Sequence, residues 1–447
     1  MRELAEVIHR RKTLTKSQRP RRAAKFITSI LAQILKAPEK PIDEHHRHAS
    51  FPIVAFFIIL IAPFFQPDTV SVWGIPYASD IYFYGRILSG FVALALFLSS
   101  SQWDIFSLLA IALAAVMLLS CIANNGDLRI WFNNWAVIAA ITLLVAYGVK
   151  SHLKEMLWAV VIVATALSLI DIASFFLFPD GIYGPKETRL DHFFFGHRNA
   201  AFNLIFASTG SSLLIDALMG KRVSWRTILL TGMGLFQLLW NYSATSCVAL
   251  LLSILLVALC QWRLPRRLVN GLTAAIYGLG SFLVLVVFRV QDVFSPFITQ
   301  VLNRTVTFTG RTYVWDKAIE LVTNDPLHAF LGYGPMSNAA NLLNSNGWTY
   351  YHTHNEVLWL LFTGGLVALA LAGFAFALIV SSLYRDRKSY PVTILVAILI
   401  GLMTILLMEI SEGFCVPYFL ALSYYLPRSM IFHRPSFSHP QPSAIRR

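Results

Sequence analysis

Three short polar clusters carry the side chains in this chain that could do chemistry. The clusters are residues 196–199, 310–311 and 352–355, and together they hold two arginines and three histidines. An arginine guanidinium is planar and always charged, and its paired N–H groups suit phosphate oxygens. A histidine titrates near neutral pH and can take a proton from a hydroxyl group. These residue types predict transfer from a diphosphate to an acceptor hydroxyl, with the arginines stabilising the charge on the leaving diphosphate.

The cluster at 352–355 stands where polar sequence ends and an apolar run of membrane length begins. Thr353 or Asn355 is predicted to be the N-cap of that helix, because a short side-chain oxygen can accept from a free backbone N–H. His354 then lies at the positive end of the helix dipole, which favours the neutral ring that a general base needs. The alternative is that His352 and His354 only anchor the helix at the membrane interface.

The two arginines also have two interpretations. Arg311 and Arg198 are predicted to bind the diphosphate, and the alternative is that each only extends its charge to the interface as an anchor. Six more residues are predicted to support the site, namely His352, Asn355, Glu356, His197, Asn199 and Trp315.

Acidic residues in or beside the apolar runs form a separate group, because charge inside a membrane is costly. Glu356 either holds a histidine tautomer or complements the helix dipole as a first-turn acid. Glu409 and Glu412 flank or enter a span, and Asp171 needs a partner that the sequence does not identify. No outer carboxylate cluster has the spacing of metal ligands, so neither a metal nor a cofactor is predicted.

The composition predicts the elements that position these residues. Of the 447 residues, 56% are hydrophobic and 13% are charged, whereas soluble domains carry about 25% charged residues. Repeated apolar runs of about 20 residues predict an all-α, polytopic membrane helix bundle. The net charge of +13 lies mostly in the N-terminal tail and short loops. That distribution is typical of membrane topology and does not require a nucleic-acid partner.

About twelve membrane helices are predicted, near residues 52–66, 86–101, 103–122, 132–149, 155–178, 199–219, 225–242, 244–261, 268–288, 354–383, 391–410 and 414–430. Positive charge concentrates in alternate loops, which predicts that both termini are cytoplasmic and that the three clusters lie on the outer face. The predicted segments are a basic cytoplasmic tail (1–50), membrane helices one to nine (51–288), a large periplasmic loop (289–353), membrane helices ten to twelve (354–430) and a cytoplasmic tail (431–447). The loop precedes the third-last span and is predicted to carry short helices, one of them over 313–323.

Four motifs occur in order along the chain. They are Gly196-His197-Arg198-Asn199-Ala200-Ala201, Gly310-Arg311 with Trp315, Gly332-Tyr333-Gly334, and His354-Asn355 followed by Leu358 and Gly364-Gly365-Leu366. In this order and spacing they resemble the O-antigen ligase / O-antigen polymerase superfamily, which includes exopolysaccharide polymerases. The resemblance covers roughly residues 50–430. One position departs from it, because Ala244 in Ser243-Ala244-Thr245-Ser246 stands where an arginine is often found. Arg198, Arg289 or Arg304 could replace that arginine.

The resemblance implies a metal-independent membrane glycosyltransferase with an undecaprenyl-diphosphate-linked glycan as donor. It implies that His354 is the catalytic residue and that Arg311 binds the diphosphate. The implied acceptor is lipid A–core in a ligase, or a second lipid-linked glycan in a polymerase. The implied location is the bacterial inner membrane, with a periplasmic active site and a role in lipopolysaccharide or exopolysaccharide biosynthesis.

Two other classes of function remain open. A secondary transporter of a small solute or a lipid-linked glycan would favour internal repeats and ionisable residues at mid-span, and no convincing repeat is present. A non-catalytic assembly factor would agree with the missing arginine at Ala244. The enzyme hypothesis requires that the clusters at 196–199, 310–311 and 352–355 meet in a common pocket, and that this pocket lies at the outer end of the helix bundle.

Overall fold

A computed structural model of the chain describes residues 49–72, 77–99, 103–182, 192–197, 199–262, 267–290, 293, 310–336, 339–344, 350–387, 389–411 and 413–432. The secondary structure of these residues is helical, and they contain no β-strand. The predicted cytoplasmic tails at 1–50 and 431–447 lie almost entirely outside the described residues.

The helices are numbered in chain order. They are α1 (Phe51–Ile61), α2 (Thr69–Val72), α3 (Ala78–Ser99), α4 (Ile105–Ala123), α5 (Leu128–Trp131), α6 (Val137–Ser151), α7 (Leu153–Leu177), α8 (Phe202–Leu218), α9 (Trp225–Trp240), α10 (Ala244–Leu259), α11 (Gly271–Phe282), α12 (Arg311–Thr323), α13 (Pro326–Leu331), α14 (Ala339–Leu343), α15 (Glu356–Arg385), α16 (Tyr390–Leu406) and α17 (Cys415–Phe432). A π-helical turn, Phe132–Ala136, joins α5 to α6, and another, Leu283–Val287, extends α11.

Five helical segments among the described residues are long and apolar enough to cross a membrane. They are Ala78–Ser99, Ile105–Ala123, Leu128–Ser151, Leu153–Leu177 and Glu356–Arg385. Several further apolar helices, including α8, α10 and α16, are shorter. The prediction of an all-helical chain with multiple membrane-length helices is therefore confirmed, and the number of about twelve spans stays a prediction.

Two helices form the centre of the bundle. Nearly every residue of α8 and of α16 is buried, so both helices lie in the interior of the bundle. These two helices pack against each other, with α7 beside α8, α10 beside α16 and α17 against both. The short segments just before α8 and just after α16 contribute to the candidate site.

The helix α15 is broken at Gly365, where φ is 65° and ψ is −165°. The break frees the backbone carbonyls of Phe362 and Thr363, and these accept hydrogen bonds from the N–H groups of Tyr333 (2.7 Å) and Gly334 (2.9 Å). A Cβ atom at Gly365 would lie 2.2 Å from the carbonyl oxygen of Phe330, so only glycine fits. The Gly332-Tyr333-Gly334 turn therefore packs directly against the helix break at Gly364-Gly365.

The break also divides α15 by length. Its 30 residues would extend about 45 Å as a straight helix, more than the roughly 30 Å of a bilayer core. The part after Gly365 is about 20 residues long, which is enough to span a membrane. The part before Gly365, which begins at Glu356, is therefore not needed to span the bilayer core. His352 and His354 lie just before this part.

Candidate functional site

The carboxylate of Glu409, just after α16, lies where the three polar clusters meet. Its Oε1 accepts hydrogen bonds from Arg311 Nη2 at 2.5 Å and from Asn199 Nδ2 at 2.7 Å. Its Oε2 lies 3.2 Å from Nδ1 of His354. One side chain therefore contacts a residue from each cluster, and the requirement for a common site is met among the described residues.

The charge of Glu409 determines which ring nitrogen of His354 carries a hydrogen. Burial raises the pKa of Glu409, but the hydrogen bond from His354 and the positive charge of Arg311 outweigh burial and lower the pKa to about 2. The carboxylate is therefore ionised at neutral pH and can only accept hydrogen bonds. His354 Nδ1 must then carry a hydrogen, so that in the neutral form of the ring the lone pair lies on Nε2.

The three side chains are not equally accessible. The Glu409 side chain is 12% exposed, whereas those of Arg311 and His354 are 19% and 26% exposed. The arginine and the histidine thus reach the surface, and the carboxylate that holds both lies behind them. Such an arrangement offers a cation and a basic nitrogen side by side to a molecule approaching from outside.

The backbone at His354 adopts an unusual conformation that its neighbours maintain. Its φ is 50°, in the left-handed region that residues other than glycine rarely enter, at a cost of about 1–3 kcal/mol. The preceding carbonyl, that of Thr353, accepts a hydrogen bond from Nε1 of the fully buried Trp315 at 3.0 Å. The Trp315 indole therefore supports the turn that aims the His354 ring at Glu409.

Asn355 is the N-cap of α15, as one of the two sequence alternatives predicted. Its Oδ1 accepts from the N–H of Leu358 at 3.1 Å, and its Nδ2 donates to the carbonyl of Leu407 at 3.1 Å. Because Leu407 lies two residues before Glu409, this amide ties the start of the histidine helix to the chain that carries the carboxylate.

Arg311 is the first residue of α12 and follows its N-cap, Gly310. The hydroxyl of Tyr350 donates to the carbonyl of Gly310 at 2.7 Å, and Tyr350 lies two residues before His352. This bond joins the backbone of the arginine cluster to that of the histidine cluster.

His352 contacts His354 directly. Its Nδ1 accepts a hydrogen bond from the backbone N–H of His354 at 3.2 Å, and the two rings lie 4.0 Å apart. Burial lowers the pKa of His352 to about 3, with the nearby His354 as the second cause. His352 is therefore uncharged at physiological pH. Its ring accepts a hydrogen bond that stabilises the turn at His354.

Asn199 is held from its other side by a serine pair. Its Oδ1 lies 3.1 Å from Oγ of Ser243, which in turn lies 2.9 Å from Oγ of Ser246. These contacts orient the amide so that Nδ2 points to Glu409. The intervening Ala244 is exposed, so the position where an arginine is often found lies at the edge of this network.

The family comparison agrees with the geometry. The family model described as O-Antigen ligase matches residues 229–373. This match confirms the resemblance to the superfamily, and the matched range contains the Ser243–Ser246 stretch, Arg311, the Gly332 turn and His354. No curated protein matches the chain.

Two site residues, Asn199 and Glu409, lie outside the range that the family model matches. Asn199 is among the residues predicted from the sequence. Glu409 stood out only as an acid at the edge of an apolar run, and its contact with His354 was not predicted. The serine pair that holds Asn199 was likewise not predicted.

One predicted alternative for Glu356 is wrong. Its two carboxylate oxygens accept from the N–H and Oγ of Ser411, both at 2.6 Å, so Glu356 does not hold the His354 tautomer. It remains a first-turn acid of α15, and through Ser411 it ties that helix to the segment after Glu409.

Among the remaining candidates, His197 lies beside the site and Arg289 has a different partner. Nδ1 of His197 lies 3.4 Å from the backbone nitrogen of Asn199, and its ring packs against that of His192, with ring centroids 5.1 Å apart. Arg289, a candidate substitute for the arginine missing at Ala244, pairs with Asp316. Arg198, Arg304 and Glu412 lie outside the described residues.

Among the described residues, one group of side chains could hold a metal ion, and it lies at this site. Donor atoms of His352, His354 and Glu409 lie within 4.8 Å of one another. However, Oε1 of Glu409 already accepts from Arg311 and Asn199, and Oε2 faces His354. A cation at this position would have to displace the His354 hydrogen bond and would lie beside a guanidinium. The prediction of metal independence stays a prediction.

Proposed function

We propose that the chain is a membrane glycosyltransferase that transfers a polyprenyl-diphosphate-linked glycan to an acceptor hydroxyl. The observation that carries the proposal is that Arg311 and His354 share the carboxylate of Glu409. A phosphate-binding cation and a general base are thereby held a few ångströms apart. A donor whose scissile bond joins a sugar to a diphosphate needs both groups at that spacing.

In the proposed reaction, the acceptor hydroxyl transfers its proton to Nε2 of His354. The acceptor oxygen forms a bond to the anomeric carbon of the donor sugar, and the bond from that carbon to the diphosphate oxygen breaks. The electron pair leaves with the diphosphate, whose developing charge Arg311 stabilises. Glu409 stabilises the imidazolium that forms at His354, because its pKa of about 2 keeps it anionic throughout.

Glu409 has a second effect, which is to limit the net positive charge of the free site. Arg311 contacts it through Nη2 alone, and a guanidinium has five N–H donors. The remaining donors are the ones we assign to diphosphate oxygens. Arg198, which lies outside the described residues, is our candidate for a second diphosphate-binding cation.

The setting we propose is the bacterial inner membrane, with both termini cytoplasmic and the site on the periplasmic side. The distribution of lysine and arginine between alternate loops supports this orientation. A lipid-linked donor also agrees with a site at the end of a bundle of apolar helices. The acceptor we propose is lipid A–core or a second lipid-linked glycan.

The proposal is tested with membranes of a strain that lacks the gene, complemented with each variant. We expect His354→Ala to abolish glycan transfer while the protein stays inserted and abundant. Arg311→Ala should also abolish it. The matched control is Lys317→Ala, which removes a cation from the exposed Lys317–Glu320 pair on the same helix and should leave transfer unchanged.

Three results separate the remaining possibilities. Unchanged glycan length and attachment in His354→Ala would rule out the proposed role of this residue. In the deletion strain, loss of the ladder on lipid A–core with free polymer retained indicates a ligase, and single repeats on the core indicate a polymerase. Uptake of a labelled solute or lipid-linked glycan by purified protein in liposomes, without transfer, would instead support a transporter.

A further inference from the structure

Asp171 is a buried acid that the proposed reaction does not use. Asp171 lies in α7 and is only 1% exposed. A carboxylate at this depth in a membrane helix is costly unless its oxygens are paired. Oδ1 accepts from the backbone N–H of Phe195 at 2.6 Å, and Oδ2 accepts from Nε2 of Gln237 at 2.5 Å. These two groups are the partners that the sequence did not identify.

The Phe194-Phe195 segment that Asp171 binds is held from two sides. On the α7 side, Oγ of Ser174 accepts from the N–H of Phe194 at 3.0 Å. On the other side, Oγ1 of Thr69 donates to the carbonyl of Phe194 at 3.0 Å, and the N–H of Asp68 donates to the carbonyl of Phe195 at 3.2 Å. All four backbone polar groups of the two phenylalanines are therefore paired.

This segment leads directly into the candidate site. Asn199 follows Phe195 by four residues and donates to Glu409 at 2.7 Å. The Asn199 amide shares Oε1 of Glu409 with Arg311, and the other oxygen faces His354. A shift of the segment would therefore alter how the carboxylate is presented to the histidine.

We infer that Asp171 is a positioning residue for the proposed glycosyl transfer, acting through the Phe194-Phe195 backbone and Asn199 on Glu409. The inference rests on the proposed function. It requires the hydrogen-bond acceptors of Asp171 and not its charge. It also requires that the effect of Asp171 on transfer passes through Asn199.

Two substitutions separate these requirements. Asp171→Asn keeps an oxygen for Phe195 N–H, and its new N–H₂ group can donate to Oε1 of Gln237, which is buried and has no partner among the described residues. The side-chain amide of Gln237 only has to rotate so that its oxygen and nitrogen exchange positions. Asp171→Leu keeps a similar volume but removes both acceptors. We expect Asp171→Asn to transfer glycan at close to the wild-type rate.

For Asp171→Leu we expect kcat per folded enzyme to fall on the order of 100-fold, since a displacement of about 1 Å at a catalytic group can have that effect. KM for the lipid-linked donor should change little. Hydrogen exchange at the 192–197 segment, followed by mass spectrometry, should be faster than in wild type. A purely structural role would lower abundance and leave kcat per folded enzyme unchanged.

A double-mutant cycle with Asn199→Ala tests the route. If Asp171 acts through Asn199, adding Asp171→Leu to Asn199→Ala should cause almost no further loss of kcat. Independent, multiplicative losses would overturn the inference, as would an inactive but folded Asp171→Asn protein. If Asp171→Leu does not accumulate, Ser174→Ala and Thr69→Val each remove one bond to Phe194 and should show the same dependence on Asn199. Full activity in both of these variants would overturn the inference.

Failure of the inference differs from failure of the proposed function. An active wild-type enzyme whose rate is unaffected by Asp171→Leu contradicts only the positioning role. A wild-type protein that transfers no glycan, or a fully active His354→Ala protein, contradicts the proposed function itself.

Discussion

Glu409→Gln is the substitution that tests the geometry of the site most directly, because it removes the charge and keeps the shape. A carboxylate accepts at both oxygens, whereas an amide accepts at one end and donates at the other. If the glutamine oxygen stays with Arg311 and Asn199, the amide N–H₂ group faces His354 Nδ1. The histidine hydrogen must then move to Nε2, and the lone pair that would take the acceptor proton is lost.

The expected size of the effect follows from that tautomer change. General-base catalysis contributes about 10²–10⁴ in rate, which corresponds to roughly 3–5 kcal/mol in the activation free energy. We therefore expect kcat to fall by two to four orders of magnitude. KM for the donor should change much less, because Arg311 keeps a hydrogen bond to the glutamine oxygen and stays in place.

The assay is transfer kinetics in membranes of the deletion strain, with variant abundance measured on the same samples. The matched control is Glu320→Gln, which neutralises the exposed carboxylate of the Lys317–Glu320 pair and should leave kcat unchanged. A Glu409→Gln enzyme with wild-type kcat would refute the proposal that this carboxylate orients the base. A rise in KM with kcat unchanged would also refute it and would assign Glu409 to donor binding alone.

Three further predictions concern the surroundings of the site. Gly365→Ala should lower the unfolding temperature and the yield of inserted protein, because its Cβ would collide with Phe330 O, whereas Gly373→Ala in the same helix has open space and should be neutral. Because burial lowers the pKa of His352 from 6.5 to about 3, wild-type stability should decrease as the pH falls from about 6.5 towards 3. The unfolding temperature of His352→Gln should decrease less over that range. Chelation by EDTA should leave transfer unchanged, and activity that is lost and then restored by a divalent cation would show that Glu409 and the histidines hold a metal.

Residue types and their order are sufficient to select Arg311 and His354 from the sequence, because each stands at a transition from loop to helix on the same predicted face. The partner that joins them is harder to predict. Glu409 is 55 residues from His354 and 98 residues from Arg311, and no helical or strand period relates such positions. Only the packing of α16 beside the other helices decides which acid reaches the histidine.

The break in α15 shows a different limit of sequence reasoning. Two adjacent glycines in an apolar run weaken a helix, but they do not specify where it opens. The opening at Gly365 depends on two backbone N–H groups from the segment between α13 and α14, those of Tyr333 and Gly334, which donate to the freed carbonyls. The Gly332-Tyr333-Gly334 motif and the Gly364-Gly365 motif are each weak signals alone. Their structural role is evident only from the contact between them.

Glu409 and Asn199 lie outside the range that the O-antigen ligase family model matches. Residues 229–373 include the proposed base and the proposed diphosphate-binding arginine. The carboxylate of Glu409, which we propose orients the base, follows α16, and Asn199, whose amide donates to that carboxylate, precedes α8. These are the two helices buried at the centre of the bundle. In the proposed reaction, the two reacting side chains therefore come from the matched range, and their alignment depends on residues outside it.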